Sequence, residues 1–177
     1  MSKAMFAEGD ADPRTDPPGE AGEREILLGF LRFQRETLEL KCSGLNPEQL
    51  ARRSVEPSGM SLLGLVRHLS DVERGWIRSR VAQQEVEPRF WRADAEDAAF
   101  DEAEGTPECV EAAWAFFRDE AALTDRFAAE TPLEATYEHW QGTLSLRWIL
   151  HHLLNEYARH NGHADLLRER IDGRVGA

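Results

Sequence analysis

The sequence is short of several features that would assign it at once. It has two cysteines, Cys42 and Cys109, far apart and without CxxC spacing. That excludes a disulfide framework and a thiolate zinc knuckle, and leaves both as buried or idle thiols. No apolar run approaches the roughly 18 residues of a membrane helix, and the opening MSKAMFAEGDADPRT lacks the apolar region of a secretory signal. The expected location is therefore cytoplasmic, with no membrane partner. Positive charge is scarce: 21 Lys+Arg against 33 Asp+Glu give a net charge of −12. With no basic run or basic aromatic face, a nucleic-acid partner is not expected. HExxH, GxSxG, GxxxxGK(S/T) and GxGxxG are all missing. So is the Glu-x-x-His pair of ferritin-like di-iron proteins, and no internal repeat is evident.

What is present describes one helical domain. At 177 residues, 41% hydrophobic and 31% charged, the chain is long enough for one sizeable core. Residues 1–20 are rich in Pro, Gly and acid and read as a flexible tail, leaving 21–177 as the domain. A first helix is expected from Glu23 to about Leu40, with Gly44 just past its end. Asn46 to Met60 reads as a connection holding a short turn at Pro47 to Arg52. A second helix starts near Ser58 or Ser61 and runs to about Gln83, with Leu62, Leu65, Val66, Leu69, Val72 and Trp76 as its stripe. His68 lies on the flank of that stripe and Glu73 near its centre. The plain alternatives are a boundary histidine and a salt bridge from Glu73 to an arginine such as Arg159.

Residues 84–105 show no helical period yet carry Phe90, Trp91 and Phe100. They read either as a lid over one end of the fold or as a surface loop pinned by aromatics. Thr106 and Pro107 open a third helix that ends near Ala129. Thr131 to Thr143 has room for a short extended segment, and Ser145 caps a fourth helix that Asp172-Gly173 stops. Four long helices, each with one apolar face, predict an all-α, antiparallel four-helix bundle with long connections.

The stretch LRWILHHLLNEYARHNGHADLLRERID, Leu146 to Asp172, organises the rest. On a wheel of 100° per residue with His152 at 0°, Leu146, Ile149, Leu153, Ala164, Leu167 and Ile171 fall between about 60° and 120°. Glu156 at about 40° and His160 at about 80° lie within this stripe, with His163 and His152 at its edge. Glu156 and His160 are one turn apart, so both reach one point, and a divalent cation is the partner that satisfies a carboxylate and an imidazole together. The competing reading is a core histidine and an intrahelical pair. His152 and His160, about 12 Å apart, cannot share one ion. A mononuclear site needs a further ligand, and a histidine on a neighbouring helix can supply it.

HLSDVERGW at His68 to Trp76, together with the Leu146 to Gly173 stretch, resembles the DinB-like family of helical-bundle metal proteins. The resemblance spans residues 23–173 and is closest to actinobacterial members. Those are related to mycothiol-dependent maleylpyruvate isomerase and to bacillithiol and mycothiol S-transferases. It implies one divalent metal held by a histidine on the second helix and two residues four apart on the last, here His68, Glu156 and His160. Many relatives carry histidine where this chain has Glu156. Two histidines and a carboxylate suit zinc first, and also nickel or ferrous iron. The implied function is a low-molecular-weight-thiol (mycothiol-like) S-transferase or isomerase acting on a small electrophilic substrate. His152 and His163 are then candidate proton-handling residues, Trp91 and Phe90 candidate ligand-covering residues, and a homodimer a candidate assembly. Two alternatives stand beside it: a non-enzymatic bundle that binds a metal or small molecule, and an interaction protein whose inward polar residues are structural.

Overall fold

The computed structural model describes residues 12–140 and 142–175. These are mostly helical, with one small hairpin. α1 (Glu23–Cys42) begins where the Gly22 N–H donates to the Glu25 carboxylate at 3.1 Å, with Glu23 and Glu25 at the positive end of the helix dipole. It stops at Ser43, whose N–H and hydroxyl both donate to the Leu40 carbonyl. Gly44 follows at φ 70°, which glycine adopts without steric cost. α2 (Pro47–Ala51) is a single turn closed by a reciprocal Asn46–Gln49 cap.

α3 (Leu62–Arg74) is capped by Ser61, which accepts the Gly64 N–H at 3.1 Å, so Ser61 rather than Ser58 starts it. The single helix expected to Gln83 is instead α3 followed by a π-helical segment, Gly75–Val81, which ends before Gln83 turns left-handed at φ 51°. Residues 84–105 hold an Arg92–Ala95 bridge and a short helix, α4 (Ala98–Asp101), which packs on α3. That packing needs Gly64, because a Cβ there would lie 2.3 Å from the Phe100 ring. α5 (Pro107–Glu130) starts at Thr106, which accepts the Cys109 N–H at 3.2 Å.

The extended segment expected before the last helix is an antiparallel hairpin, β1 (Thr136–His139) with β2 (Gly142–Ser145), paired Thr136 to Ser145 and His139 to Gly142. α6 (Leu146–Asp172) is capped by Ser145 and closed by Gly173 at φ 80°. α1 packs against α6, and α3 against both α5 and α6. Leu31 and Leu38, Leu62, Leu65 and Leu69, and Leu146, Ile149, Leu150, Leu153 and Tyr157 are all sealed in the resulting core. No described helix is long and apolar enough to cross a membrane.

Two buried charge networks tie the helices together. Glu73 accepts Arg35 Nε and Nη2 at 2.8 Å, the Thr124 hydroxyl at 2.6 Å and the Tyr157 hydroxyl, joining α3 to α1, α5 and α6, while Arg35 Nη1 donates to Asp125 at 2.7 Å. Its partner is thus Arg35, not Arg159, which is exposed. Arg168 on α6 donates to the Lys41 and Ser43 carbonyls at 2.8 Å, satisfying the C-terminal end of α1. Of the expected N-terminal tail, residues 1–11 lie outside the described residues. The next part follows α1: Arg14 donates to Thr37 and sits 4.7 Å from the Phe33 ring centre, and the Thr15 N–H donates to Glu36 at 2.7 Å.

Candidate metal centre

α6 buries a wider arc than the apolar pattern alone defines. Leu150, Tyr157, Asn161 and Arg168 are buried along with the expected stripe, of which Ile171 alone is only half-buried, and this extends the arc from about 60° to about 180° on the same wheel. His160, at 80°, therefore lies inside, 9% exposed. Glu156 sits on the rim, half-buried, where His152 and His163 also lie. α3 meets this rim with His68, half-buried in turn.

Ligand atoms of His68, Glu156 and His160 all lie within 4.8 Å of one another. Glu156 Oε2 is 3.9 Å from His68 Nε2 and 3.5 Å from His160 Nε2. A tetrahedral ion with bonds of 2.0–2.1 Å sets its ligands about 3.3–3.4 Å apart, so small side-chain adjustments complete such a site. The donor set, two imidazoles and one carboxylate, fits a divalent cation. Hydrogen bonds from His160 and His68 hold the Glu156 carboxyl far below the usual carboxylate range, against the opposing effect of partial burial. It stays ionised, as a ligand must.

The surrounding residues orient the three. His163 Nδ1 lies 3.2 Å from His160 Nδ1, which leaves His160 Nε2 facing Glu156. Burial, then the neighbouring His160 and Arg159, push the His163 imidazole below its ordinary pKa. His152 Nε2 is 3.8 Å from the other Glu156 oxygen. Its ring is stacked on Trp148 at 5.2 Å and edge-on to Trp76 at 4.9 Å. Phe100 stacks on His68 with ring centres 5.8 Å apart.

Phe90 and Trp91 behave differently from their expected covering role. Phe90 packs on Phe116 and under the Arg67 guanidinium, 4.3 Å from its ring centre. Trp91 is 46% exposed. The aromatic that reaches the site from residues 84–105 is Phe100. Helical periodicity gives no sign that Trp76 and Trp148 are neighbours of His152; the two indoles and the imidazole form a cluster in which each ring contacts the other two. Cys42 is buried, which raises its thiol pKa to about 12 and keeps it from serving as a nucleophile.

A family model described as mycothiol-S-transferase (MST) matches residues 26–173. No curated protein matches the chain.

Proposed function

The chain belongs to the mycothiol-S-transferase family, and on that premise we propose that it is a divalent-metal-dependent S-transferase. It would join the sulfur of a low-molecular-weight, mycothiol-like thiol to a small electrophile. The four long helices α1, α3, α5 and α6 are read as an antiparallel bundle carrying the site on the α3–α6 seam. The observation that supports the reading is the convergence of His68, Glu156 and His160, drawn from two helices, on one point.

When bound, a divalent ion such as zinc, nickel or ferrous iron supplies Lewis acidity that lowers the pKa of a nearby thiol. The chain's own residues do the rest. His68, Glu156 and His160 would hold the ion, and a set of three protein ligands would leave room for a substrate atom. His163 fixes the His160 ring through Nδ1. His152, clustered with Trp76 and Trp148, is placed to accept the thiol proton at Nε2. The sulfur lone pair then forms the new C–S bond as the electrophile's leaving group departs with its electron pair.

The test is elemental analysis of the purified protein with a thiol-transfer assay on an electrophilic dye. One divalent ion per chain is expected, with loss of both metal and activity in His160→Ala. Unchanged metal occupancy in His160→Ala would overturn the ligand assignment.

A further inference from the structure

Beside the π-helical segment lies a groove of about 330 Å³, bordered by Trp76, Ser79, Arg80, Pro88 and His139. The volume is that of a small-molecule site. It adjoins the metal-ligand cluster through one side chain: Trp76 borders the groove and also contacts His152, which faces Glu156. Its charges are distributed unevenly. Arg74 and Arg78 both end on Glu120, at 3.0 and 2.7 Å. The Asp71 carboxylate, also at the groove, accepts the N–H groups of Arg89, Phe90 and Trp91 at 2.7, 2.7 and 2.9 Å, which turns its oxygens onto residues 89–91. Among the described residues the Arg80 side chain has no hydrogen bond or ion pair, and it is exposed. In a chain of net charge −12, an uncommitted guanidinium beside an indole makes a local site for an anion with an apolar body.

We propose that this groove binds the carboxylate-bearing end of a small-molecule substrate, with Trp76 packing its apolar body and Arg80 pairing with its carboxylate. The assignment of that molecule as a reactant rests on the thiol-transfer reading; its binding does not. The carboxylate belongs to the thiol or to the electrophile, and the chemistry of recognition is the same for either.

Isothermal titration of the full-length, metal-loaded protein with 2-naphthoate and its neutral isostere 2-naphthamide tests the proposal. The acid should bind about three- to tenfold tighter than the amide. Arg80→Gln, a change at an exposed position, should erase that preference, and Trp76→Leu should weaken both ligands. The preference should persist in His160→Ala, so a failed metal assignment leaves this test intact. Equal binding of acid and amide by the parent overturns the proposal. So does an unchanged preference in Arg80→Gln, or its loss in His160→Ala, which would put the carboxylate on the metal. Kinetics separate the two sources. A KM rise in Arg80→Gln confined to 4-(bromomethyl)benzoate assigns the carboxylate to the electrophile, and one confined to N-acetylcysteine assigns it to the thiol. No KM rise with either counts against a substrate role.

Discussion

Glu73 in the core and Glu156 on its rim are satisfied by opposite means. Glu73 is saturated by Arg35, Thr124 and Tyr157, so it holds helices together and has nothing left to offer. Glu73→Ala leaves buried Arg35 with only the rim carboxylate of Asp125, 2.7 Å from its remaining nitrogen, and should cost about 3 kcal/mol, read as a fall in chemical-denaturation midpoint with metal content per folded chain unchanged. Glu156 meets only imidazoles, at 3.5–3.9 Å and on the rim. Glu156→Gln should weaken metal binding and, at neutral pH, also lower the melting temperature of the metal-free chain, because it removes the carboxylate that His160 and His68 favour. Because the folded state depresses the Glu156 pKa, its contribution to stability is present above the ordinary carboxylate value of about 4.3 and is lost as pH falls toward the folded value. Metal should leave earlier, near the free imidazole pKa of about 6.5, since ligand histidines must be neutral. An acid titration followed by chelator dye and by circular dichroism should therefore show two separate transitions, release first. That Glu156 and His160 lie close together was legible in the sequence, because four-residue spacing on one helix fixes relative direction, and so was the burial of His160. The place of His68 was not, since the wheel put it on a flank, and the resemblance supplied it.

Among the elements, α6 and α5 could be read closely because caps and long apolar periods agree. The π-helical segment could not, because a 100° wheel has no signature for a widened turn, and α4 is too short for any period to show. Residues 84–105 are instead organised by one acidic side chain on the neighbouring helix. Asp71, three positions after His68, accepts three successive N–H groups and pins 89–91 to α3. Asp71→Ala should remove about 2 kcal/mol of local stability, raising hydrogen exchange at residues 89–91 while metal content stays intact. Protection at those amides unchanged from the parent would show that α4 and the Arg67 contacts hold the segment alone. With Trp91 46% exposed, Trp91→Ala should leave both metal content and melting temperature within a few degrees of the parent.

For the whole molecule, the N-terminal stretch contributes more than its composition suggests. Arg14 and Thr15 engage Phe33, Thr37 and Glu36 on α1. A truncation starting at Glu20 should lose about 1–2 kcal/mol, a drop of roughly 3–6 °C in melting temperature. Composition missed this because it measures apolar content, whereas an arginine over a ring and a backbone donor to a glutamate are both polar devices. The seam between α3 and α6 carries one more consequence, in time rather than in space. Glu156 and His160 come together as soon as α6 coils, but His68 is roughly 90 residues away along the chain, and bringing it to them in an unfolded chain costs about 4.5 kcal/mol of loop entropy. All three donors therefore coexist only after α3 and α6 have docked, late in folding. An ion captured there should leave the refolding rate untouched and slow unfolding in proportion to free metal above the dissociation constant. In a denaturant chevron, added zinc should lower only the unfolding limb, whereas a faster refolding limb would mean that the ligands assemble before the helices do.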